Sequence, residues 1–137
     1  MNLNLFDGFI NSLGSEGSLW NDFHLQISSE LLEKFSTCDW LSLKRELLVR
    51  PVYWQERCAE AIGYLDNQNG VDVLKALLDS PNISVAAIAA SELDNMDIGL
   101  SFDFKDKLER ILISLVEKHS SRSDDVRRLL DRIPGNN

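Results

Sequence analysis

Cysteine, histidine, proline and glycine are all scarce in this chain of 137 residues, which holds 2, 2, 3 and 7 of them respectively. Two cysteines make a poor disulfide framework at this length, and two histidines offer little for a metal site. So few prolines and glycines exclude a low-complexity chain or a turn-rich all-β protein. No run of 18 apolar residues occurs, which excludes a transmembrane helix. We therefore expect one globular domain, residues 1–137.

Basic residues are also in short supply. The chain has 14 Lys and Arg against 22 Asp and Glu, for a net charge of −8. Phosphate contacts require clustered Lys and Arg, so this balance argues against nucleic acid as the direct partner and favours a basic protein. The first eight residues carry no basic side chain and no apolar run before a cleavage site. We therefore expect no secretory signal, no membrane association and a cytoplasmic protein.

An apolar pattern recurs every 31 residues. Trp54, Cys58, Ile62 and Leu65 are spaced 0, 4, 8 and 11, which places them on one helical face. Apolar residues stand 31 positions later at all four places: Val85, Ala89, Leu93 and Met96. Apolar residues stand 31 positions earlier at three of the four places: Phe23, Ile27 and Leu31. A second stripe repeats likewise and continues after three extra residues, as Leu43/Leu47, Leu74/Leu78 and Leu108/Leu112. Such a period is typical of repeated amphipathic hairpins.

The pattern predicts an all-α fold, a short right-handed α-solenoid of about three helical hairpins with a capping helix at each end. One hairpin cannot bury both its stripes alone, so neighbours must share a core, with Trp54 and Phe23 filling the larger gaps between layers. The predicted repeat units are 20–49, 51–79 and 82–119, the caps are 3–13 and 123–133, and the tail is 134–137. Within the units, the predicted helices are 20–35, 39–49, 52–65, 71–79, 83–93 and 104–119.

Residues 54–65, WQERCAEAIGYL, resemble the first helix of HEAT repeats, the short bacterial type above all. That helix commonly carries a hydrophobe, an arginine, alanine-rich small positions and then Leu-Gly-x-Leu. Residues 125–128, DVRR, are similar to the Asp-x-Val-Arg start of such helices. The resemblance covers about residues 20–116. It implies a protein that binds other macromolecules along a curved surface and is not an enzyme.

Small size, acidic charge and this fold type together resemble the immunity proteins encoded beside bacterial polymorphic toxins, including those of contact-dependent growth inhibition. That resemblance implies a protein that binds and neutralises a basic cognate toxin, in its most concrete form a nuclease. We expect the chain to be monomeric when free. The alternative is a HEAT-like adaptor or accessory protein that assists assembly or modification of a larger enzyme. A HEAT-like DNA-repair enzyme would require a basic groove, which the charge disfavours.

The negative charge is concentrated in the first three-quarters of the chain. Residues 1–106 hold 17 acidic and 7 basic side chains, whereas residues 107–137 hold 5 and 7. Over residues 92–106, five acids face only Lys105, and this stretch contains the lengthened connection between two predicted helices. The acids could serve as helix caps and solubilising groups, with Asp103 as an N-cap and Asp106 in a first turn. They could instead form a landing site for a basic partner.

Trp40, Tyr53 and Tyr64 fall outside the repeated stripes, so they are candidates either for exposed anchors or for half-buried contacts between repeats. No nucleophile elbow and no metal-ligand spacing is present, so we predict no catalytic, cofactor-binding or metal-binding residues. Cys58 lies in an apolar stripe and is expected to be a buried, reduced thiol. The predicted partner-binding residues are Tyr53, Tyr64, Asp66, Glu92, Asp94, Asp97, Asp103 and Asp106.

Overall fold

A computed structural model describes residues 2–12 and 20–135. Within these ranges the chain is helical and contains no β-strand, which confirms the predicted all-α class. The helices are α1 Asn2–Ser12, α2 Asp22–Glu33, α3 Thr37–Glu46, α4 Val52–Ile62, α5 Gln68–Leu77, α6 Ile83–Asn95, α7 Lys105–Glu117 and α8 Ser123–Asp131. Two 3₁₀ turns are Leu47–Val49 and Phe102–Phe104. None of the described helices has both the length and the apolar character needed to cross a membrane.

Polar side chains fix where three of the helices begin. The side chain of Asn21 accepts backbone N–H groups in the first turn of α2, so this helix begins two residues later than predicted. Ser36 and Asp39 form a capping box at the start of α3, which begins two residues earlier than predicted. Asn67 caps α5, which therefore begins three residues early and takes in part of the predicted turn. The predicted Leu13 end of the first helix, together with residues 136–137, lies outside the described residues.

Two helices end with a residue in the left-handed conformation, Asp97 after α6 (φ 55°) and His119 after α7 (φ 54°). At the end of α6, the amide of Ile98 donates to the carbonyl of Leu93 at 3.0 Å, and that of Asp97 donates to Asp94 at 3.0 Å. This is a Schellman motif with an aspartate where glycine is more common. It turns the chain sharply into the connection toward α7.

The 31-residue pattern is confirmed in the middle of the chain. Its positions in α4 and α6 are fully buried: Trp54, Cys58 and Ile62, and their counterparts Val85, Ala89 and Leu93. The second stripe is buried as well, at Leu43, Leu47, Leu74, Leu78 and Leu108. The helices from α3 to α7 therefore use the same faces that the repeat predicted.

The prediction for α2 is wrong in its register. Phe23, expected in the core, is 66% exposed. The buried face of α2 consists instead of Leu25, Ser28, Ser29 and Leu32. Helix α2 packs against α1 and α4, and the small serines in its buried face allow these neighbours to approach closely. The third 31-residue echo therefore holds only in part: Phe23 is exposed, whereas Leu31 is partly buried against the core.

Helix α6 lies at the centre of the molecule and contacts α4, α5, α7 and α8. It is buried nearly all round, as expected of a helix surrounded by others. Its alanines allow these neighbours to approach closely; they are Ala86, Ala87, Ala89 and Ala90. The helices α2, α4, α6 and α8 contact one another in that order, so alternate helices of the chain form a row.

Helix α8 runs parallel to α6 and in register with it. Three of the contacts between the two segments span 34 residues each: Ser91 with Asp125, Asp94 with Arg128, and the carbonyl of Ile98 with Arg132. The constant offset requires the two helices to point the same way. It also equals the 31-residue period lengthened by the three extra residues of the α6–α7 connection. Helix α8 buries one face, with Val126, Leu129 and Leu130, and leaves the opposite face exposed.

The carboxylate of Asp7 is one of the groups that join helix α1 to α4. Asp7 Oδ1 accepts hydrogen bonds from Arg50 Nη1 at 2.8 Å and from Trp54 Nε1 at 2.9 Å. The ring of Phe6 meets the ring of Trp54 edge-on at 5.8 Å. Helix α1 thus buries one face, with Leu3, Phe6 and Ile10, and leaves the opposite face exposed.

Candidate protein-binding edge

Four of the predicted partner-binding residues lie on the surface at the connections that follow α4 and α6. Asp66 lies in the α4–α5 connection and Asp97 directly after α6, and both are exposed. Asp103 lies in the 3₁₀ turn before α7, Asp106 lies in the first turn of α7, and both are also exposed. We call these four aspartates the acidic edge.

The two connections adjoin each other around a cavity of about 310 Å³, which we call the edge cavity. Its lining comes from both connections and from the start of α5: Leu65, Asp66, Asn67, Gln68, Val71, Met96 and Ile98. Because Asp97 lies between two lining residues, the Schellman end of α6 brings it close to the mouth. The connection around residue 66 and the connection around residue 97 therefore line the same cavity.

The acidic edge carries unneutralised charge. None of its four carboxylates forms an ion pair with any Lys or Arg in the part of the chain that the structure describes. The two lysines that flank Asp106 pair elsewhere: Lys105 has its ammonium 3.8 Å from Glu109, and Lys107 has its ammonium 2.5 Å from Asp79. The edge therefore presents negative charge that a partner could neutralise.

Two exposed aromatic rings accompany the acidic edge. Tyr64, two residues after α4, is 56% exposed, and Phe102, in the 3₁₀ turn, is 59% exposed. Sequence reasoning missed Phe102, although its place in the lengthened connection beside Asp103 could have indicated it. Aromatic anchors next to unpaired charge are a composition common in interface hot spots.

The other two aromatic candidates point inward. The hydroxyl of Tyr53 donates to Asn11 Oδ1 at 2.9 Å, and the guanidinium of Arg57 lies 4.9 Å above its ring. Trp40 is 2% exposed and meets Phe35 edge-on at 5.0 Å. Tyr53 is therefore a half-buried contact between helices and Trp40 a core residue, and neither ring is presented as an anchor.

Asp94 is a correction to the predicted surface set, because its side chain is only 5% exposed. Its two oxygens lie 2.9 Å from Arg128 Nε and 2.8 Å from Arg132 Nη1. Burial of a carboxylate is tolerated when charged donors satisfy it in this way. Asp94 therefore joins α6 to α8 and is not available to a partner. The predicted N-cap role of Asp103 is also wrong, since no side chain caps this turn or α7.

Glu92 is half-buried between α4 and α6 and does not belong to the acidic edge. Its carboxylate lies against Gly63, where an added Cβ atom would collide with it. Burial raises the pKa of Glu92 to about 7, and the neighbouring Glu60 and Asp125 raise it while Arg122 opposes them. Burial likewise raises the pKa of Glu60 above its usual value. These carboxylates therefore add less negative charge at neutral pH than their number implies.

The described residues offer little for catalysis or metal binding. They contain no group of three or more His, Cys, Asp and Glu side chains arranged to hold a metal ion. Cys58 is fully buried, as predicted, and burial raises the pKa of its thiol far above its usual range, so the thiol is inert. Cys38 is exposed, and neither cysteine is in a disulfide. Nothing in these placements assembles a nucleophile with a base.

Two further cavities differ in character from the edge cavity. One, of about 350 Å³, lies between α4, α6 and the α7–α8 connection, with Glu56 on one side and Lys118 and Arg122 on the other. The second, of about 250 Å³, is bordered by Asp79 and Lys107, which form an ion pair with each other. Both have opposite charges at their rims, so neither shows the one-sided charge that distinguishes the acidic edge.

Comparison with known proteins gives no relative: no family model, no curated protein and no solved structure matches this chain.

Proposed function

We propose that the chain is a short α-solenoid of HEAT-like hairpins that works as a non-enzymatic, protein-binding module. The row formed by α2, α4, α6 and α8 and the 34-residue register between α6 and α8 support this arrangement. The resemblance of residues 54–65 to a HEAT helix supports it further. A packed row of helices holds its connections rigidly, which favours their use as a binding surface.

The proposed partner is a basic protein, and its proposed binding site is the acidic edge with Tyr64 and Phe102. The observation that carries this is the set of four exposed aspartates without ion pairs at two adjoining connections. Unpaired charge of one sign accelerates encounter with a partner of the other sign and discriminates among partners. Rigid aromatic rings beside it supply the buried contact area on which affinity depends.

The most concrete form of the proposal is an immunity protein, cytoplasmic and monomeric when free, that neutralises a cognate toxin, here proposed to be a nuclease. A nuclease is basic around its active site because it must hold phosphates. An acidic, rigid surface that covers this site both steers association and blocks substrate. Small size and a net charge of −8 support such a role.

Co-expression with the protein encoded immediately upstream tests this proposal. We expect a stoichiometric complex and relief of growth inhibition by the wild-type chain. A variant with all four aspartates of the acidic edge changed to asparagine should bind poorly and fail to relieve inhibition. Its charge-matched control replaces four exposed acids elsewhere with their amides: Asp22, Glu30, Glu117 and Asp124. Absence of a complex and of relief with the wild-type chain would reject the immunity proposal.

A second candidate, an adaptor that assists a larger enzyme, is favoured by a separate apolar surface. Leu48, Val49 and Val52 are exposed around the 3₁₀ turn between α3 and α4, and Val49 is 83% exposed. Exposed apolar residues close together in a chain often mark a contact surface. An adaptor that binds through them would associate at a rate nearly independent of salt, whereas the acidic edge predicts strong dependence. Substitution of Val49 with serine should then impair the adaptor and leave the immunity function intact.

A further inference from the structure

The edge cavity combines apolar walls with a single free carboxylate. Leu65 and Val71 form walls that are themselves buried, at 6% and 5% exposure. Met96 and Ile98, from the other connection, are partly buried against the same core. Asp66 is the lining residue that carries a charge, and it is exposed at the rim. The cavity thus has an apolar interior and an anionic mouth.

Three other polar groups of the lining form hydrogen bonds within the protein. Asn67 Oδ1 accepts the backbone N–H of Asn69 at 2.7 Å, and Gln68 Nε2 donates to Asp72 Oδ1 at 3.0 Å. On the opposite wall, the carbonyl of Ile98 accepts a hydrogen bond from Arg132 Nη2 at 3.3 Å. These bonds fix the walls and leave the carboxylate of Asp66 as the charged acceptor for a ligand.

We propose that the edge cavity binds an arginine side chain of the basic partner. The aliphatic stem would lie between Leu65, Val71 and Ile98, and the guanidinium would pair with Asp66 at the rim. Long cationic side chains bury their stems against apolar surface while the charged head remains at the edge. This inference rests on the proposed function and identifies the group by which the partner is held.

Arginine fits this site better than lysine for two reasons. Its planar guanidinium can donate two parallel hydrogen bonds to one carboxylate, whereas an ammonium offers a single, strongly hydrated point charge. Arginine is also enriched and lysine depleted in protein interfaces. The volume suffices: at about 30 Å³ per water molecule the cavity corresponds to on the order of ten waters, more than one side chain displaces. A neighbouring anion, Asp97, adds to the attraction.

The test uses the full chain and the blocked tripeptide acetyl-Gly-Arg-Gly-amide, followed by NMR of the backbone amides. We expect saturable shifts confined to residues 65–71 and 96–98. The same peptide with citrulline, an uncharged isostere, should produce no saturable shift, and the lysine peptide should bind more weakly. Shifts of equal size for the arginine and citrulline peptides, or no saturable shift with either, would overturn the proposal.

Two single variants distinguish binding in the edge cavity from general electrostatic attraction by the acidic edge. Asp66→Asn keeps the shape of the cavity and removes the charge at its rim, and we expect it to weaken arginine-peptide binding by about five-fold or more. Asp97→Asn removes the same charge from a residue outside the lining, and we expect a loss of less than about two-fold. Equal losses of peptide affinity in the two variants would show that only general electrostatic attraction acts on the peptide.

The outcome of the peptide experiment is independent of the co-expression test of the proposed function. If the peptide does not bind but the acidic edge still proves necessary for relief of growth inhibition, the cavity proposal alone is wrong. If the peptide binds and no relief occurs, the cavity holds arginine and the immunity proposal is wrong.

Discussion

Asp94 Oδ1 lies 2.8 Å from Arg132 Nη1, and this ion pair joins the end of α6 to the end of α8. The other oxygen of Asp94 lies 2.9 Å from Arg128 Nε. Asp125, in the first turn of α8, accepts from Ser91 Oγ at 2.6 Å one turn earlier on α6. The parallel register of the two helices is therefore set by polar contacts as well as by apolar packing.

Replacing Asp94 with alanine should destabilise the protein by about 2–4 kcal/mol. The change removes a buried carboxylate that pairs with both Arg128 and Arg132, which leaves Arg128 with Asp125 alone and Arg132 without a carboxylate partner among the described residues. Urea unfolding followed by circular dichroism measures the effect. Asp103→Ala is the matched control, because Asp103 is exposed and forms no ion pair with any described residue, and it should change stability by less than about 0.5 kcal/mol. Similar losses in both variants would contradict the role assigned to Asp94.

Two glycines in helices predict opposite effects of substitution by alanine. An added Cβ atom at Gly70 would lie 2.8 Å from Ile62 Cγ2, a buried branched side chain, so Gly70→Ala should destabilise the protein by about 1 kcal/mol. Gly8 lies within α1 and has open space where its Cβ atom would be. Gly8→Ala should therefore stabilise the protein by about 0.5–1 kcal/mol through helix propensity. Thermal and urea unfolding of both variants give the comparison, and a gain in stability from Gly70→Ala would show that α5 packs less closely on α4.

The raised pKa of Glu92 predicts that stability falls as pH rises from about 5 to 8. The folded chain holds this proton up to a pKa of about 7, whereas the unfolded chain loses it near 4.5. The folded state therefore binds more protons between these values, and the free energy of unfolding decreases with rising pH. Because the side chain is only half-buried, we expect on the order of 1 kcal/mol from it. Glu60 contributes in the same direction.

Glu92→Gln removes this dependence, since glutamine resembles the protonated acid. The variant should be more stable than the wild-type chain at pH 8 and should show a shallower loss between pH 5 and 8, measured by urea unfolding across this range. Glu30→Gln, on the exposed side of α2, is the matched control and should alter stability by less than about 0.5 kcal/mol. A Glu92→Gln variant with the pH profile of the wild-type chain would contradict the assignment.

Association with the proposed basic partner should be electrostatically steered. Stopped-flow measurement of the association rate with the upstream-encoded protein should show a decrease of about ten-fold or more between about 0.05 and 0.5 M NaCl. The variant with four asparagines at the acidic edge should associate slowly at low salt and depend only weakly on salt. A wild-type rate that does not change with salt would favour binding through the apolar residues around Val49.

Sequence periodicity was sufficient to predict the helices and their buried faces wherever large apolar residues recur. Trp54, Cys58 and Ile62 have buried counterparts in α6, as the 31-residue period predicts. The prediction fails at α2 because apolar character alone does not distinguish a core position from an exposed one. Phe23 matches the period and is exposed, whereas the small Ser28 is buried. The space between α2 and its neighbours decides which of these side chains is buried. A hydropathy pattern does not contain that information.

The candidate site was predictable only in part for a related reason. Local sequence places Asp97, Asp103 and Asp106 at helix ends and connections, where exposure is expected. Asp94 lies in the same acidic stretch, but its role depends on arginines 34 and 38 residues away in α8. The edge cavity likewise depends on two connections that only the folded chain brings together. Ion pairing between residues far apart in the chain therefore decides which carboxylates are held within the fold and which are available to a partner.

Hydrogen–deuterium exchange of the chain alone and in complex with the upstream-encoded protein tests the central claim most directly. We predict that complex formation protects residues 64–68 and 97–106, at the acidic edge, and leaves the segment 47–52 unchanged. Protection of residues 47–52 with no change at the acidic edge would contradict the claim that this acidic surface binds the partner.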